Sequence, residues 1–239
     1  MTAAPDIKAL TFDTFGTVVD WRTSINRDFR AFGRRKRLKE VDWEALIDEW
    51  KTCYRPGMDA VNSGRWPWTS IDQIYRRTLD ELLPRYGVGD LGEEDRLFLN
   101  RAWHRLKPWP DAVAGLKRLK KKYIIAPLSN GDIACLVNMA KSAGLPWDLI
   151  LCGELFKRYK PAPEVYLGAV ACLGLLPQEV MMVAAHNYDL KHARFHGMRT
   201  AFVARPTEYG PGQQDNLRAE EDWDVIADDF GQLADALGA

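Results

Sequence analysis

Apolar residues form short runs near the start of the chain and again through its second half. Residues 7–12 are apolar and partly β-branched and run directly into a carboxylate, and similar runs recur, with helical patterns between them, at 123–128, 149–152, 180–184 and 200–203. Continuous apolar runs of this length are typical of strands buried on both faces. Strands that alternate with helices predict an α/β fold with a doubly wound parallel sheet and right-handed crossovers.

The segment between the first strand and the second half of the chain has a different period. Its apolar residues recur every three or four positions, as in helices, and Gly and Pro interrupt the pattern at 64–67 and 84–92. No stretch of this segment has a convincing strand pattern. We therefore expect an inserted helical cap, residues 21–105, over the carboxyl edge of a sheet that belongs to an α/β core of residues 1–20 and 106–239.

Charge and composition narrow the class of protein. The chain has 239 residues, and its 33 Lys and Arg balance 33 Asp and Glu, so no overall field favours nucleic acid or an anionic membrane as partner. One basic run, between Arg34 and Lys39, is most simply interpreted as a solvated helix end. No apolar run has the length of a bilayer helix and the N-terminus lacks a secretory pattern, so we expect a cytoplasmic protein. Four Cys without a CxxC pair indicate reduced core thiols rather than a zinc site.

Polar side chains directly follow the predicted strands. Ligands of an open parallel sheet bind beyond the carboxyl ends of its strands. One site is therefore expected to contain Asp13 and Thr17 after the first strand, Ser129 and Asn130 after the second, Lys160 in the loop after the third, and His186, Asn187 and Asp189 after the fourth. Packing alone does not explain why two acids, a lysine and hydroxyl groups meet at one edge.

Each of these residues also has a purely structural interpretation. Asp13 could cap a turn, and Thr17 and Ser129 could cap helices. Lys160 would by itself be taken as solvated, and Tyr166 as a helix residue that packs its ring. A carboxylate followed by a Gly turn and a Thr, at the mouth of a buried strand, nevertheless favours a nucleophile at Asp13.

Four segments of the chain resemble, in order, the motifs of the haloacid dehalogenase superfamily. They are Asp13-Thr14-Phe15-Gly16-Thr17, then Ser129-Asn130-Gly131, then Lys160-Pro161 with Tyr166, and finally the acidic segment that ends at Asp189. Each motif alone is weak, but their order and spacing span nearly the whole chain and are specific. The resemblance implies an α/β core with a cap.

The superfamily contains two kinds of hydrolase that this sequence could be. Its magnesium-dependent phosphatases carry an Asp two residues after the nucleophile, as acid for the leaving alkoxide, and another directly after the fourth strand, for the metal. This chain has Phe15 at the first position and Ala184 and Ala185 at the second. Halide leaves as a stable anion without a proton. The chain therefore looks like the L-2-haloacid dehalogenases, which need neither metal nor other cofactor; a phosphatase acting on a small phosphate ester and a catalytically silent binding protein are the alternatives.

The resemblance to these dehalogenases implies a role for each motif residue. Asp13 attacks the halogen-bearing carbon of a small 2-halocarboxylate and forms an aspartyl ester, and Asp189 activates the water that hydrolyses it. Lys160 keeps Asp13 ionised. The other implied roles are substrate carboxylate binding by Ser129 and by backbone amides of the first motif at Thr14 and Phe15, and positioning of the reacting groups by Thr17 and Tyr166.

The fourth motif departs from the family pattern. His186 lies in a segment where relatives commonly have serines and an asparagine. A histidine titrates near neutrality and could share or tune the activation of water. A hydrogen-bonded loop histidine is the alternative.

The cap departs as well. Many relatives bind the departing halide with an Arg that follows a Trp, whereas Lys51 follows Trp50 here. Lysine lacks the planar fork of arginine, so Arg55, one turn later, is an alternative halide ligand. The rest of the expected halide cradle is Asn130, Asn187 and Tyr188, with Trp66 or Trp68 as candidate walls. Some relatives with a histidine in this motif act on fluoroacetate, but the sequence leaves the halide open; a homodimer is a further expectation that only the resemblance carries.

Overall fold

The computed structural model describes residues 6–239, and a six-stranded parallel sheet forms its centre. The strands are β1 (Ala9–Phe12), β2 (Val19–Asp20), β3 (Lys107–Pro108), β4 (Ile124–Ser129), β5 (Leu151–Cys152), β6 (Val180–Ala184), β7 (Arg199–Val203) and β8 (Val225–Ala227). The sheet has the order β5-β4-β1-β6-β7-β8, and β2 pairs with β3 in a separate antiparallel ribbon. The predicted α/β fold with a parallel sheet is confirmed.

Helices cover the sheet and form the insertion. They are α1 (Trp21–Lys36), α2 (Trp43–Asn62), α3 (Ile71–Arg85), α4 (Glu93–Asn100), α5 (Ala112–Leu119), α6 (Ile133–Ala143), α7 (Gly153–Phe156), α8 (Pro163–Leu173), α9 (Asn187–Phe195) and α10 (Phe230–Ala236), with 3₁₀ helices at Arg101–Arg105 and Pro177–Glu179. No helix in this described part of the chain is long and apolar enough to cross a membrane.

The central strands are buried on both faces. β1 pairs in parallel with β4 on one side and with β6 on the other, and all four of its residues are buried. Because all residues of β1 and β6, and all but Ile124 of β4, are buried, these strands appear in the sequence as mainly apolar runs. The edge strand β8 was not predicted, since it has three residues and its Ile226 is exposed.

The helical insertion leaves and re-enters the sheet domain through the ribbon of β2 and β3. Val19 pairs with Pro108 and Asp20 with Lys107, so the two ends of the insertion lie side by side. Residues 21–105 are called the cap below, and the other described residues the core. The division into two domains at these boundaries is our proposal; residues 1–5 of the predicted core lie outside the described residues.

Hydrogen bonds tie the cap to the carboxyl edge of the sheet. Asp132, just before α6 in the core, accepts the backbone N–H groups of Ile71 (3.1 Å) and Asp72 (3.0 Å) at the start of α3. Asn62 of the cap exchanges two hydrogen bonds, each of 2.9 Å, with the backbone of Tyr159 in the core. These contacts satisfy free groups at a helix N-terminus and hold the cap over the ends of β1 and β4.

Candidate active site

The turn after β1 places Asp13 at the floor of the site. Gly16 has a φ of 89°, a conformation open to glycine, and the N–H groups of Val18 and Val19 both bond to the carbonyl of Thr14. Thr17 accepts a hydrogen bond from the backbone N–H of Ala185 (2.9 Å) and donates to Asp13 Oδ2 (2.8 Å). The Asp13 carboxylate is therefore fixed, with only 7% of the residue exposed.

Lys160 lies between two carboxylates. Its Nζ donates to Asp13 Oδ1 (3.0 Å) and to Asp189 Oδ2, while Tyr166 donates to Asp189 Oδ1 (2.6 Å). All four side chains are buried. The loop before α8 brings in Lys160, α8 brings in Tyr166, and the first turn of α9 brings in Asp189.

The charges of this cluster stabilise one another. Burial alone would raise the pKa of Asp13, but Lys160 and His186 outweigh burial and hold that pKa far below its usual range. Burial would lower the pKa of Lys160, but Asp13 and Asp189 raise it. Burial and the neighbouring Asp189 raise the pKa of Tyr166, so the phenol stays protonated as a donor. At neutral pH the site contains an ionised Asp13 beside a charged lysine.

His186 joins Asp13 to a second, unpredicted acid. Its Nδ1 lies 3.1 Å from Asp13 Oδ2, and its Nε2 lies 2.9 Å from Glu208 Oε2. Burial would lower the pKa of His186, but the charge of Glu208 and the hydrogen bond to Asp13 raise it well above its ordinary value. Burial would raise the pKa of Glu208, but His186 lowers it. The histidine and this glutamate therefore form a buried ion pair behind the nucleophile.

Glu208 occupies space that only a glycine leaves open. It is 1% exposed, and its Oε1 accepts a hydrogen bond from Trp21 Nε1 (3.0 Å). A Cβ atom at Gly16 would lie 2.0 Å from Glu208 Oε1. Arg205 anchors the loop that carries Glu208, because its guanidinium donates to the carbonyl of Thr17 (2.9 Å) and pairs with Asp111.

A cavity of about 260 Å³ opens above Asp13 between core and cap. This volume suits a substrate with few heavy atoms. The lining residues are Asp13, Phe15, Lys51, Tyr54, Arg55, Met58, Ile71, Tyr75, Asn130, Lys160, His186, Tyr188, Asp189, Tyr209 and Asn216.

The cap side of this cavity is aromatic and cationic. Lys51 Nζ lies 4.8 Å from the ring centre of Tyr54, 5.1 Å from that of Trp21 and 5.6 Å from that of Trp103. Arg55 is exposed at the mouth; it donates to the Tyr188 hydroxyl (3.2 Å) and lies 5.0 Å from the centre of its ring. Both cations can attract an anion, and Lys51 is the more enclosed of the two.

The structure brings most of the predicted site residues together. Six of the seven predicted catalytic residues form one hydrogen-bonded network: Asp13, Thr17, Lys160, Tyr166, His186 and Asp189. The seventh, Ser129, is fully buried behind the cavity wall, where its Oγ accepts the N–H of Gly131 (3.2 Å). Thr14 is also fully buried and its side chain does not line the cavity. The roles of these residues remain predictions.

The halide cradle expected from the sequence needs two corrections. Asn187 does not face the cavity: its amide donates to the carbonyl of Arg218 (3.0 Å) and accepts from Trp223 Nε1 (2.9 Å), because the first turn of α9 directs it to the C-terminal loop. Trp66 and Trp68 are not among the lining residues, and Trp68 stacks on Tyr159 instead. Tyr54, Tyr75 and Tyr209 form the aromatic walls.

Within residues 6–239 one group of side chains has the spacing of a metal site, and it lies outside the cavity. Asp72, His104 and Cys135 offer ligand atoms within 4.8 Å of one another. Both ring nitrogens of His104 already have partners, at 2.8 Å in Asp72 and at 3.0 Å in Asn138. The group is therefore a hydrogen-bonded contact between cap and core.

Comparisons with known proteins agree with this geometry. The family model for haloacid dehalogenase-like hydrolases matches residues 7–194. An (S)-2-haloacid dehalogenase of Xanthobacter autotrophicus is 32% identical over 209 residues, which cover 83% of this chain and 76% of that protein. (S)-2-haloacid dehalogenase 4A of Burkholderia cepacia is 28% identical over 95% of this chain and 98% of that protein.

Solved structures are similar over almost the entire length. The crystal structure of the L-2-haloacid dehalogenase PA0810 has a TM-score of 0.94 and 49% identity, covering 97% of this chain and 99% of that one. That of the defluorinating L-2-haloacid dehalogenase Rha0230 has a TM-score of 0.94 and 45% identity, covering 98% of this chain and 96% of that one.

Proposed function

The chain belongs to the haloacid dehalogenase-like hydrolases, and from that premise we propose that it hydrolyses the carbon–halogen bond of small 2-halocarboxylic acids, releasing halide and a 2-hydroxy acid. One observation carries the proposal. Asp13 is an ionised, immobilised carboxylate that faces a small cavity, beside an ammonium group that keeps it charged. Such a group is a nucleophile prepared for displacement at carbon.

The hydrogen bonds of Asp13 indicate which oxygen attacks. Oδ2 accepts hydrogen bonds from Thr17 and His186, whereas Oδ1 accepts one from Lys160. Oδ1 therefore has the freer lone pair. It forms a bond to C2 of the substrate while the bond from C2 to halogen breaks on the opposite side, which inverts that carbon and leaves an aspartyl ester. Oδ2 becomes the carbonyl oxygen of this ester.

Different parts of the cavity bind the substrate carboxylate and the departing halide. Among the described residues, the backbone N–H groups of Thr14 and Phe15 have no acceptor, so they are available to the carboxylate. The halide leaves towards the cap, where Lys51 lies among three aromatic rings and forms no ion pair within residues 6–239. Arg55 at the mouth guides anions in and out.

Asp189 is the base of the second step. It lies next to Lys160 and Tyr166 in the wall of the cavity, and its carboxylate takes a proton from water as the water oxygen attacks Cγ of Asp13. The bond between Cγ and Oδ1 then breaks. The proton on Asp189 passes to the departing alkoxide, which gives the 2-hydroxy acid. Asp13, now a carboxylic acid with one oxygen from water, releases the second water proton to solvent and returns to its carboxylate form.

The alternative, a phosphatase of the same fold, lacks its chemistry here. Phe15 packs its ring on Trp103 (5.8 Å between ring centres) where a phosphatase has the acid for its leaving group. Ala184 and Ala185 are buried at the end of β6, where a phosphatase has a metal carboxylate. None of these three side chains supplies a proton or a magnesium ligand.

A paired assay tests the proposed function. Chelator-treated protein is incubated with chloroacetate, 2-chloropropionate and fluoroacetate, and free halide is measured; the neighbour Rha0230 is named as defluorinating, which is why fluoroacetate is included. Asp13→Asn is the inactive control. We expect halide release without added metal. Magnesium-dependent phosphate release from p-nitrophenyl phosphate, or no halide release from the wild-type protein, would overturn the proposal.

We also propose a cytoplasmic location. The four cysteines, Cys53, Cys135, Cys152 and Cys172, are free thiols. Free thiols fit a reducing compartment. Cell fractionation with an antibody to the protein tests this.

A further inference from the structure

His186 faces a hydrogen-bond acceptor on each side. Asp13 Oδ2 is 3.1 Å from Nδ1, and Glu208 Oε2 is 2.9 Å from Nε2. An ionised carboxylate can only accept, so each ring nitrogen has to carry a hydrogen, and an imidazole with two N–H groups is a cation. With Asp13 and Glu208 both ionised, this hydrogen-bond pattern indicates an imidazolium.

Formation of the ester leaves this pattern unchanged. Oδ2 changes from a carboxylate oxygen to an ester carbonyl oxygen, which is still an acceptor, and the N–H at Nδ1 still points to it. Glu208 is not touched by the reaction. A nitrogen that already carries a proton cannot remove one from water, so His186 has no free lone pair with which to act as the base.

The atom that His186 contacts, Asp13 Oδ2, is the one on which negative charge develops during ester hydrolysis. When water attacks Cγ of the ester, the electron pair of the carbonyl bond moves to Oδ2. Thr17 donates to the same oxygen. The Thr17 hydroxyl is oriented towards Oδ2 because its own oxygen accepts a hydrogen bond from the backbone N–H of Ala185. Two donors that point at the developing negative charge on a buried carboxyl group form an oxyanion hole.

We propose that His186 is an oxyanion donor for ester hydrolysis, an imidazolium that stabilises the negative charge on Asp13 Oδ2, and that Glu208 is the positioning residue that keeps it charged and oriented. This inference rests on the proposed function. It assigns Asp189, and not His186, as the base: the water proton goes to Asp189, the electron pair goes to Oδ2, and when that pair returns the bond between Cγ and Oδ1 breaks.

The surroundings of Glu208 fit a charge-holding role. The carboxylate is almost fully buried, one oxygen is fixed by Trp21 and the other by His186, and the absent side chain of Gly16 leaves the space that it fills. The other charged groups that line the cavity with His186 are Asp13, Lys160 and Asp189 on the core side and Lys51 and Arg55 on the cap side. Lys51 favours the ionised form of Glu208. An uncompensated carboxylate would not be stable at this depth.

The charge of His186 is measured first by NMR of the protein labelled with ¹⁵N in histidine. Two protonated ring nitrogens should persist to a pH well above the ordinary histidine range in the wild-type chain. Glu208→Gln should move the titration to lower pH, because the neutral amide no longer favours the cation. Glu81→Gln, the same change at an exposed position of α3, should leave it in place. A neutral His186 at pH 7 in the wild type would overturn the inference.

Rapid-mixing kinetics with 2-chloropropionate then separate the two steps. His186→Ala should keep the initial burst of halide but slow ester hydrolysis by about 10²- to 10³-fold, as for loss of one oxyanion donor. His186→Gln, which offers a neutral N–H and no basic nitrogen, should recover part of that loss. No recovery by glutamine, while the burst is intact, would indicate a base and contradict the inference.

The pH profile of ester hydrolysis is a third test, because the two roles of His186 predict opposite dependence of the rate on pH. An essential imidazolium is present below its pKa, so the rate should fall as pH rises through that pKa, and in Glu208→Gln this fall should begin at lower pH. If His186 were the base, the rate would instead fall as pH drops through that same pKa. Absence of any halide release from the wild type would count against the proposed function, whereas the NMR result decides the charge of His186 in either case.

Discussion

The two walls of the cavity differ in how their charges are held. On the core wall, Asp13, Lys160, Asp189, His186 and Glu208 hold one another by hydrogen bonds and are buried or nearly so. On the cap wall, Lys51 and Arg55 lie against aromatic rings, and one hydrogen bond joins Arg55 to Tyr188. The core wall is fixed for covalent chemistry, and the cap wall holds charge loosely enough to receive an anion.

The difference predicts unequal costs of substitution. A core charge that loses its partner is left buried and unpaired, which costs several kcal/mol, about 3–5 in measured cases. A cap cation held over aromatic rings contributes about 0.5–2 kcal/mol. Substitutions in the core should therefore abolish a chemical step, and those in the cap should adjust affinity and halide preference.

The largest expected effect comes from Asp13→Asn. The amide keeps the size of the side chain but removes the anionic nucleophile, so halide release should fall at least about 10³-fold. Circular dichroism should show an unchanged fold. Activity within about tenfold of wild type, in a sample checked for deamidation back to Asp, would mean that another group attacks the carbon.

Asp189→Asn should stop the reaction halfway. With the base removed, one halide per active site should appear in a burst and turnover should then fall by about 10²- to 10⁴-fold. Mass spectrometry should find an adduct on the peptide that contains Asp13. A folded Asp189→Asn protein with neither burst nor adduct would show that Asp189 serves binding or alkylation.

Substitution of the cap cations should have smaller effects than substitution of the core residues. The two cations should also differ from each other. Lys51→Met keeps the length of the side chain and removes its charge, so kcat/KM should fall by about 10- to 100-fold, as for loss of a charged hydrogen bond. Arg55→Met should mainly raise KM, and it should lower kcat/KM less than Lys51→Met does. If Arg55→Met is the more damaging change, the assignment of the halide to Lys51 is wrong.

The smallest expected effect is that of Tyr188→Phe. It removes the 3.2 Å hydrogen bond to Arg55 but keeps the ring beneath the guanidinium. An exposed pair of this kind contributes little, so KM should change by about threefold or less. A large loss of kcat would show that Tyr188 contacts the reacting atoms.

The core wall was the more predictable wall from sequence. The carboxyl ends of parallel strands meet at one edge, so a polar residue directly after a buried apolar run could be placed in the site without a structure. This reasoning placed Asp13, Lys160 and Asp189 correctly. It placed Asn187 wrongly, because position along the chain does not fix the direction of a side chain in the first turn of a helix.

Glu208 was missed although a signal was present. β7 ends at Val203, and its loop, like those of the other strands, opens at the site edge. Residues 206–212 contain Pro and Gly and no periodic pattern, so nothing within the segment itself indicates a site residue. Its path depends on the distant pair of Arg205 and Asp111, which local sequence does not reveal.

The cap wall was predicted in kind but not in detail. Helical periodicity identified its helices, but the packing of Trp21 and Trp103 around Lys51 requires residues far apart in the chain to meet. Trp66 and Trp68 are also aromatic residues of the cap, but they do not line the cavity. Aromatic residues fill a core for packing reasons, so composition cannot identify those that reach a cavity.

The covalent ester on Asp13 is the central claim, and a single turnover in heavy-oxygen water tests it most directly. Enzyme in excess over 2-chloropropionate is quenched after one turnover, and the peptide containing Asp13 and the product are weighed. The account predicts one heavy oxygen in Asp13 and none in the product, because water attacks Cγ and the alkoxide leaves with Oδ1. Heavy oxygen in the product and none in Asp13 would show that water attacks the substrate directly, and would contradict the account.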